Sequence, residues 1–219
     1  MKLLMHICCA PCFSYPYFDL SLNKDIKLTG YFYNPNIQPE AEFNNRLDSL
    51  KRFAGENNID IYTVLWSHGA AMSREDSRME LKPTGDSPRA SLGTVPLAEG
   101  KGHTIISGGF NHRKDPAPSA YNSEGVEQAS CYNCYERRLR KTAQKAVEKN
   151  ADAFSTTLLI SPYQKHDIII EICNRFAKEY GIDFYYKDWR PFYRKGVEIS
   201  KEQKLYRQKY CGCFYSIKN

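Results

Sequence analysis

The chain has 219 residues, a formal net charge of +6 and an apolar fraction of 42%. That length suits one α/β domain, or one domain with an inserted lobe, and the apolar content is enough for a real core, so disorder is not the default reading. The mild basic excess permits an RNA partner without requiring one, and no apolar run reaches the length of a bilayer span.

Residues 2–7, KLLMHI, read as a buried first strand. CCAPC then forms the turn into a helix, with Pro11 in the first turn, where its missing N–H does no harm. KLTGYFYN at 27–34 is a second strand. A helix follows from about Pro39, with Phe43, Leu47, Leu50 and Ala54 on one face. IDIYTVLW at 59–66 is the third strand, and this alternation implies a parallel sheet with crossover helices.

Residues 67–120 break the pattern. They are rich in glycine, serine and proline and read as a long insertion or flexible lobe, with a hairpin near HTIISGGF, inside a single domain spanning 1–219. Order returns in a helix over 132–149, a strand over 151–158 and a helix over HDIIIEICNRFAKEYG, whose core side carries Ile169, Ile172, Phe176 and Tyr180. IDFYYKD is the last strand, VEISKEQKLYRQ a short helix, and KYCGCFYSIKN closes the chain.

The start MKLLMHICC is too short for a signal peptide's apolar core, so the chain is expected in the cytoplasm, where thiols stay reduced. Eight cysteines in that compartment point to metal, iron–sulfur or redox chemistry rather than a disulfide scaffold. They fall mostly in three groups: Cys8, Cys9 and Cys12; Cys131 and Cys134; Cys211 and Cys213. Ligands gather at the carboxyl ends of parallel strands, where the first group lies. The second group precedes the predicted helix, whose positive end favours thiolate. Two loops thus supply four thiolates, enough for a structural zinc or an iron–sulfur cluster. Adjacent cysteines are expected to diverge, which suits a cluster better than a single ion.

Cys173 lies in an apolar helical face and reads as core, as does the lone His6 on the first strand. Cys211 and Cys213 offer either further ligands or a redox-active dithiol that cycles with a disulfide bond. Arg137, Arg138, Arg190, Arg194 and Arg207, interleaved with aromatic residues, suit stacking on unpaired RNA bases.

Four stretches together, HICCAPC, CYNCYERRLRKTA, TTLLISPYQK and LYRQKYCGC, resemble the QueH-type epoxyqueuosine reductases across residues 1–66 and 121–219. The resemblance implies a fold akin to the nucleotide α-hydrolase (HUP) type. It implies reduction of epoxyqueuosine to queuosine at the wobble position in a tRNA anticodon loop, fed by an external electron donor. It also implies an iron–sulfur cluster, of the [4Fe-4S] kind, with an adjacent iron. Carried over by motif, Cys8, Cys9, Cys131 and Cys134 become cluster ligands, Cys12 a ligand of the extra metal, and Cys211 and Cys213 a redox or supporting pair. Tyr135 and Tyr210 are the candidate proton donors.

Between 67 and 120 the chain departs from that pattern. Two rival readings remain: a zinc-stabilised RNA-binding module without catalysis, and an ATP-dependent tRNA thiolation enzyme. The second needs an SGGxDS phosphate loop. SGGF at 107–110 imitates part of it, but His112 and Arg113 follow in place of Asp-Ser.

Overall fold

The computed structural model describes residues 1–64, 79–81, 104–106, 123–212 and 216, with residues 79–81, 104–106 and 123–130 described by backbone alone. β1 (Lys2–His6) is buried from Leu3 onward, as expected of a strand covered on both faces. It pairs in parallel with β2 (Lys27–Phe32) on one side and β6 (Ala153–Thr156) on the other, setting His6 opposite both Tyr31 and Thr156. β3 (Ile61–Thr63) and β7 (Asp183–Tyr186) extend the parallel sheet outward.

The full order is β4-β3-β2-β1-β6-β7-β5. The edge strands β4 (Met79–Leu81) and β5 (Thr104–Ile106) run antiparallel to their neighbours. Both come from the stretch set apart in the sequence, so described parts of that stretch join opposite edges of the sheet. β5 pairs with β7; the rest of the expected hairpin, and SGGF at 107–110, lie outside the described residues.

α1 (Ala10–Ser21) joins β1 to β2, and α4 (His166–Tyr180) joins β6 to β7. These connections run in opposite directions along the sheet, so right-handed crossovers put them on opposite faces. α1 packs with α2 (Glu40–Glu56) and α5 (Tyr193–Glu202), and α3 (Ser123–Glu148) packs with α4 and lies over β1 and β6. Phe43, Leu47, Leu50 and Ala54 are all buried, as are Ile169, Ile172, Cys173 and Phe176, while Tyr180 is half-buried. Gly30 in β2 leaves room for the Ile7 side chain, whose Cδ1 would lie 2.5 Å from a Cβ there.

Three boundaries differ from the sequence reading. α3 begins at Ser123 rather than near 132, β6 stops at Thr156 and winds into a 3-10 turn over Thr157–Ile160, and α5 ends at Glu202. LYRQ at 205–208 is therefore irregular chain beyond the helix: the Leu205 N–H still bonds the Ser200 carbonyl of α5, while the Tyr206 N–H and the Gln208 side chain bond other elements.

Candidate metal centre

The strand order reverses direction at β1, between β2 and β6, the place where open α/β sheets bind ligands. The first cysteine group leaves β1 at that point. Cys9 is the N-cap of α1, with extended backbone, and Pro11 lies in the first turn. The sulfurs of Cys8, Cys9 and Cys12 lie within 4.8 Å of one another, and Cys8 and Cys9 are 3.8 Å apart. The expected divergence of the adjacent pair is not found: the chain turns from strand to helix between them, so both side chains face inward. Their separation matches the edge, about 3.8 Å, of a tetrahedron with 2.3 Å metal–sulfur bonds.

The surroundings favour thiolate. Thr157 Oγ1 donates to Cys8 Sγ at 3.3 Å and accepts from the Cys8 N–H at 3.1 Å. Gln208 Nε2 donates to Cys9 Sγ at 2.9 Å. Hydrogen bonds from Cys12 and Cys9, and then the Thr157 hydroxyl, hold Cys8 well below the usual thiol range despite its burial. Burial pushes Cys9 up to about 12, and the bonds to Cys8 and Cys9 push Cys12 up as well. One negative charge is thus shared across three soft donors, a set suited to zinc or iron–sulfur ligation.

His6 is a satisfied core residue, as read from sequence. Its Nδ1 meets Thr156 Oγ1 at 2.9 Å and its Nε2 meets the Tyr33 carbonyl at 3.3 Å, so Nε2 carries the proton. Burial, helped by Arg138, lowers its pKa to about 3. Cys173 is likewise core, and burial raises its thiol.

Cys131 and Cys134 lie well inside α3, not ahead of it, so the expected help from a helix N-terminus is absent. They are half-buried at i and i+3, on one helical face, and stand outside the tight triad. What connects the groups is Arg138. It was expected on an RNA-facing surface but is only 4% exposed, and it lies in the electrostatic field of Cys134, Cys8 and Cys211. Its interactions with Cys134, Cys8, Tyr135 and Cys211 outweigh desolvation and raise its pKa. Tyr135, next to Cys134, is buried; its hydroxyl donates to Gln164 Oε1 at 2.9 Å and accepts from Lys165 N–H at 3.2 Å. Burial pushes its pKa to about 12.

The C-terminal segment crosses over the triad. Arg46, ion-paired with Glu42 at 2.7 Å, donates to the carbonyls of Tyr210 at 3.0 Å and Cys211 at 3.1 Å. Gly212 follows with a φ of 100°, and its carbonyl accepts from Gln38 N–H at 3.0 Å. A side chain there would meet both Ile37 and Arg46. The Tyr210 hydroxyl donates to the Gln38 carbonyl, and burial raises its pKa. Cys211 is exposed, with its thiol donating to Ser216 Oγ at 3.0 Å. Cys213 lies outside the described residues.

The sequence matches the family described as "Epoxyqueuosine reductase QueH" over residues 3–85 and 104–219. The chain belongs to the QueH family. It is similar to the epoxyqueuosine reductase QueH of Dehalococcoides mccartyi, 30% identical over 98% of this chain and 92% of that protein. It is also similar to the QueH of Thermotoga maritima, 30% identical over 98% of this chain and 89% of that protein. The QueH of Streptococcus pyogenes serotype M1 is 31% identical over 99% of this chain and 71% of that protein. The QueH match covers most of the stretch that sequence reading set apart and leaves out only 86–103 between its two segments.

Sequence reasoning overlooked three contributors to this candidate site and gave a fourth another role. Thr157 and Gln208 lie inside motifs that were recognised only as strings, Arg46 in a helix read for its apolar face, and Arg138 in a basic run read as surface. A visible clue existed for Arg46: Glu42 precedes it by four residues.

Proposed function

We propose that this chain reduces the epoxide of epoxyqueuosine to the alkene of queuosine at the wobble position of tRNA. The observation carrying this reading is the convergence of Cys8, Cys9 and Cys12 at the sheet's switch point, in a chain of the QueH family. The reaction consumes two electrons and two protons, opens both C–O bonds and releases the oxygen as water. An iron–sulfur cluster, charged by an external donor, would supply low-potential electrons singly when bound.

In this reading Cys8, Cys9, Cys131 and Cys134 hold a [4Fe-4S] cluster and Cys12 holds an adjacent iron. The donor set fits: the thiols are soft, two accept hydrogen bonds, and Arg138 offsets negative charge from both groups. Tyr135 or Tyr210 would hold a proton near the leaving oxygen, and Cys211 with Cys213 would pass two electrons to the site on closing to a disulfide, which the external donor would then reduce back to two thiols. Order β3-β2-β1-β6-β7 supports a HUP-like single domain, and a cytoplasmic setting keeps the thiols reduced. Among the described residues, no helix is long and apolar enough to cross a membrane.

RNA would be held outside the centre. Arg137, Arg194 and Arg207 are exposed, and Arg190 is exposed but chelated by Asp188. Tyr163 is 77% exposed and meets Tyr193 edge-on at 5.7 Å. Tyr193 and Arg207 line a small cavity with Cys12, an arrangement suited to stacking and holding a splayed base.

The 3.8 Å separation of Cys8 and Cys9 favours a second reading, one tetrahedral ion on the triad in a non-catalytic RNA-binding module. Anaerobic reconstitution with iron and sulfide, followed by incubation with epoxyqueuosine-bearing tRNA and a chemical reductant, separates the two. Mass spectrometry of the digested tRNA will show loss of one oxygen. A colourless, zinc-only protein that leaves the nucleoside unchanged would sink the enzymatic reading.

A further inference from the structure

Gln208 occupies the irregular stretch after α5, and its side chain turns in to Cys9, with Nε2 2.9 Å from the sulfur. As a metal ligand Cys9 is a thiolate and only accepts hydrogen bonds, so the amide then presents its N–H side there. Its Oε1 is buried without a protein partner among the described residues, so no second bond imposes the opposite orientation.

The contact is clamped from both ends. Upstream, the Tyr206 N–H donates to Ser49 Oγ at 2.9 Å and Leu205 is buried. Arg52 donates to the carbonyls of Gln203 at 3.0 Å and Lys204 at 2.8 Å. Downstream, Arg46 grips Tyr210 and Cys211, and Gln38 grips Gly212. Every clamp comes from the loop and helix of residues 38–52, which pack beside α1. Gln208 is therefore held on Cys9 by the fold.

We infer that Gln208 tunes the Cys9 sulfur through its N–H···S bond, and that Arg46 is a positioning residue acting through the strap it holds. An N–H donor withdraws electron density from a ligating sulfur and stabilises the more electron-rich, reduced state of the centre. The inference rests on Cys9 being a ligand, as proposed above.

The test compares wild type with Gln208→Leu, Gln208→Met and Arg46→Met, each reconstituted anaerobically with iron and sulfide and titrated redox-potentiometrically under EPR detection. Gln208→Met keeps the length and loses the donor without adding a charge, guarding against a packing effect from Leu. All three variants are expected to retain wild-type iron and sulfide content while their midpoint potentials fall. The expected size is a tenfold loss in the one-electron reduction equilibrium, about 59 mV. Unchanged potentials at full cluster content overturn the inference.

If wild type takes up no cluster, the ligand assignment above fails, and cobalt(II) becomes the probe. The sulfur-to-cobalt charge-transfer band should move to longer wavelength in Gln208→Leu, because a thiolate without its donor gives up charge more readily. A band unmoved by the substitution overturns the inference there too.

Discussion

Thr157 and Cys8 exchange two hydrogen bonds: the hydroxyl accepts the Cys8 N–H at 3.1 Å and donates to the Cys8 sulfur at 3.3 Å. One small side chain thereby ties the end of β1 to the end of β6 and also helps keep Cys8 ionised. Thr157→Val preserves shape and removes both bonds. Leaving the buried N–H unpaired should cost about 1–3 kcal/mol in urea unfolding. The Cys8 thiolate absorbance should also move to higher pH. Thr157→Ser should restore both. If Val and Ser behave alike, the hydroxyl has no such role.

Arg46 and Glu42 form a buried ion pair whose guanidinium also binds the tail, and the Tyr206 hydroxyl donates to the other Glu42 oxygen. Arg46→Met strands the Glu42 carboxylate and should destabilise the fold by about 3–5 kcal/mol. It should also free residues 205–212, so limited trypsin cuts after Arg207 and Lys209 much faster than in wild type. Cleavage at the wild-type rate would show that the tail is held by something else.

His6 gives acid sensitivity. Its folded pKa of about 3 lies below the ordinary 6.5, so the unfolded chain binds the extra proton. Stability is full above 6.5 and is lost as pH falls from 6.5 toward 3. Between pH 7 and 5, where carboxylates barely titrate, this linkage amounts to about 2 kcal/mol. His166, also lowered by burial, acts in the same sense. Denaturant midpoints across that range should fall more steeply for wild type than for His6→Gln; parallel slopes would clear His6.

Arg138 is the buried cation facing Cys134, Cys8 and Cys211. Arg138→Met should weaken metal retention about 10–100-fold, the usual effect of removing a group that supports ligands. Iron and sulfide content after dialysis against a chelator reads this directly, with Arg138→Lys falling between. Full retention in the Met variant would mean that Arg138 serves packing alone.

The sheet was legible because its signals are local. KLLMH is apolar throughout, as a central parallel strand must be, and the Phe43-to-Ala54 spacing is helical. The cysteine turn was legible because ligand chemistry restricts which residue types serve. Legibility ended where a residue's role depends on distant chain. Nothing in ERRLRK separates the inward Arg138 from the outward Arg137; only the packing of α3 over β1 and β6 does. Nor could LYRQ announce that its glutamine reaches Cys9, since extended tails and short helices share such composition. The misplaced start of α3 has the same origin: Ser130 is a capping residue type, and nothing local shows that it lies inside the helix instead.

The bond from Gln208 to Cys9 joins positions 199 residues apart. Cys9 is therefore synthesised long before the segment that covers it. Until that segment emerges, Cys9 lacks the amide that later meets its sulfur. Loading during translation, before the closing segment emerges, would need no later opening of the finished fold.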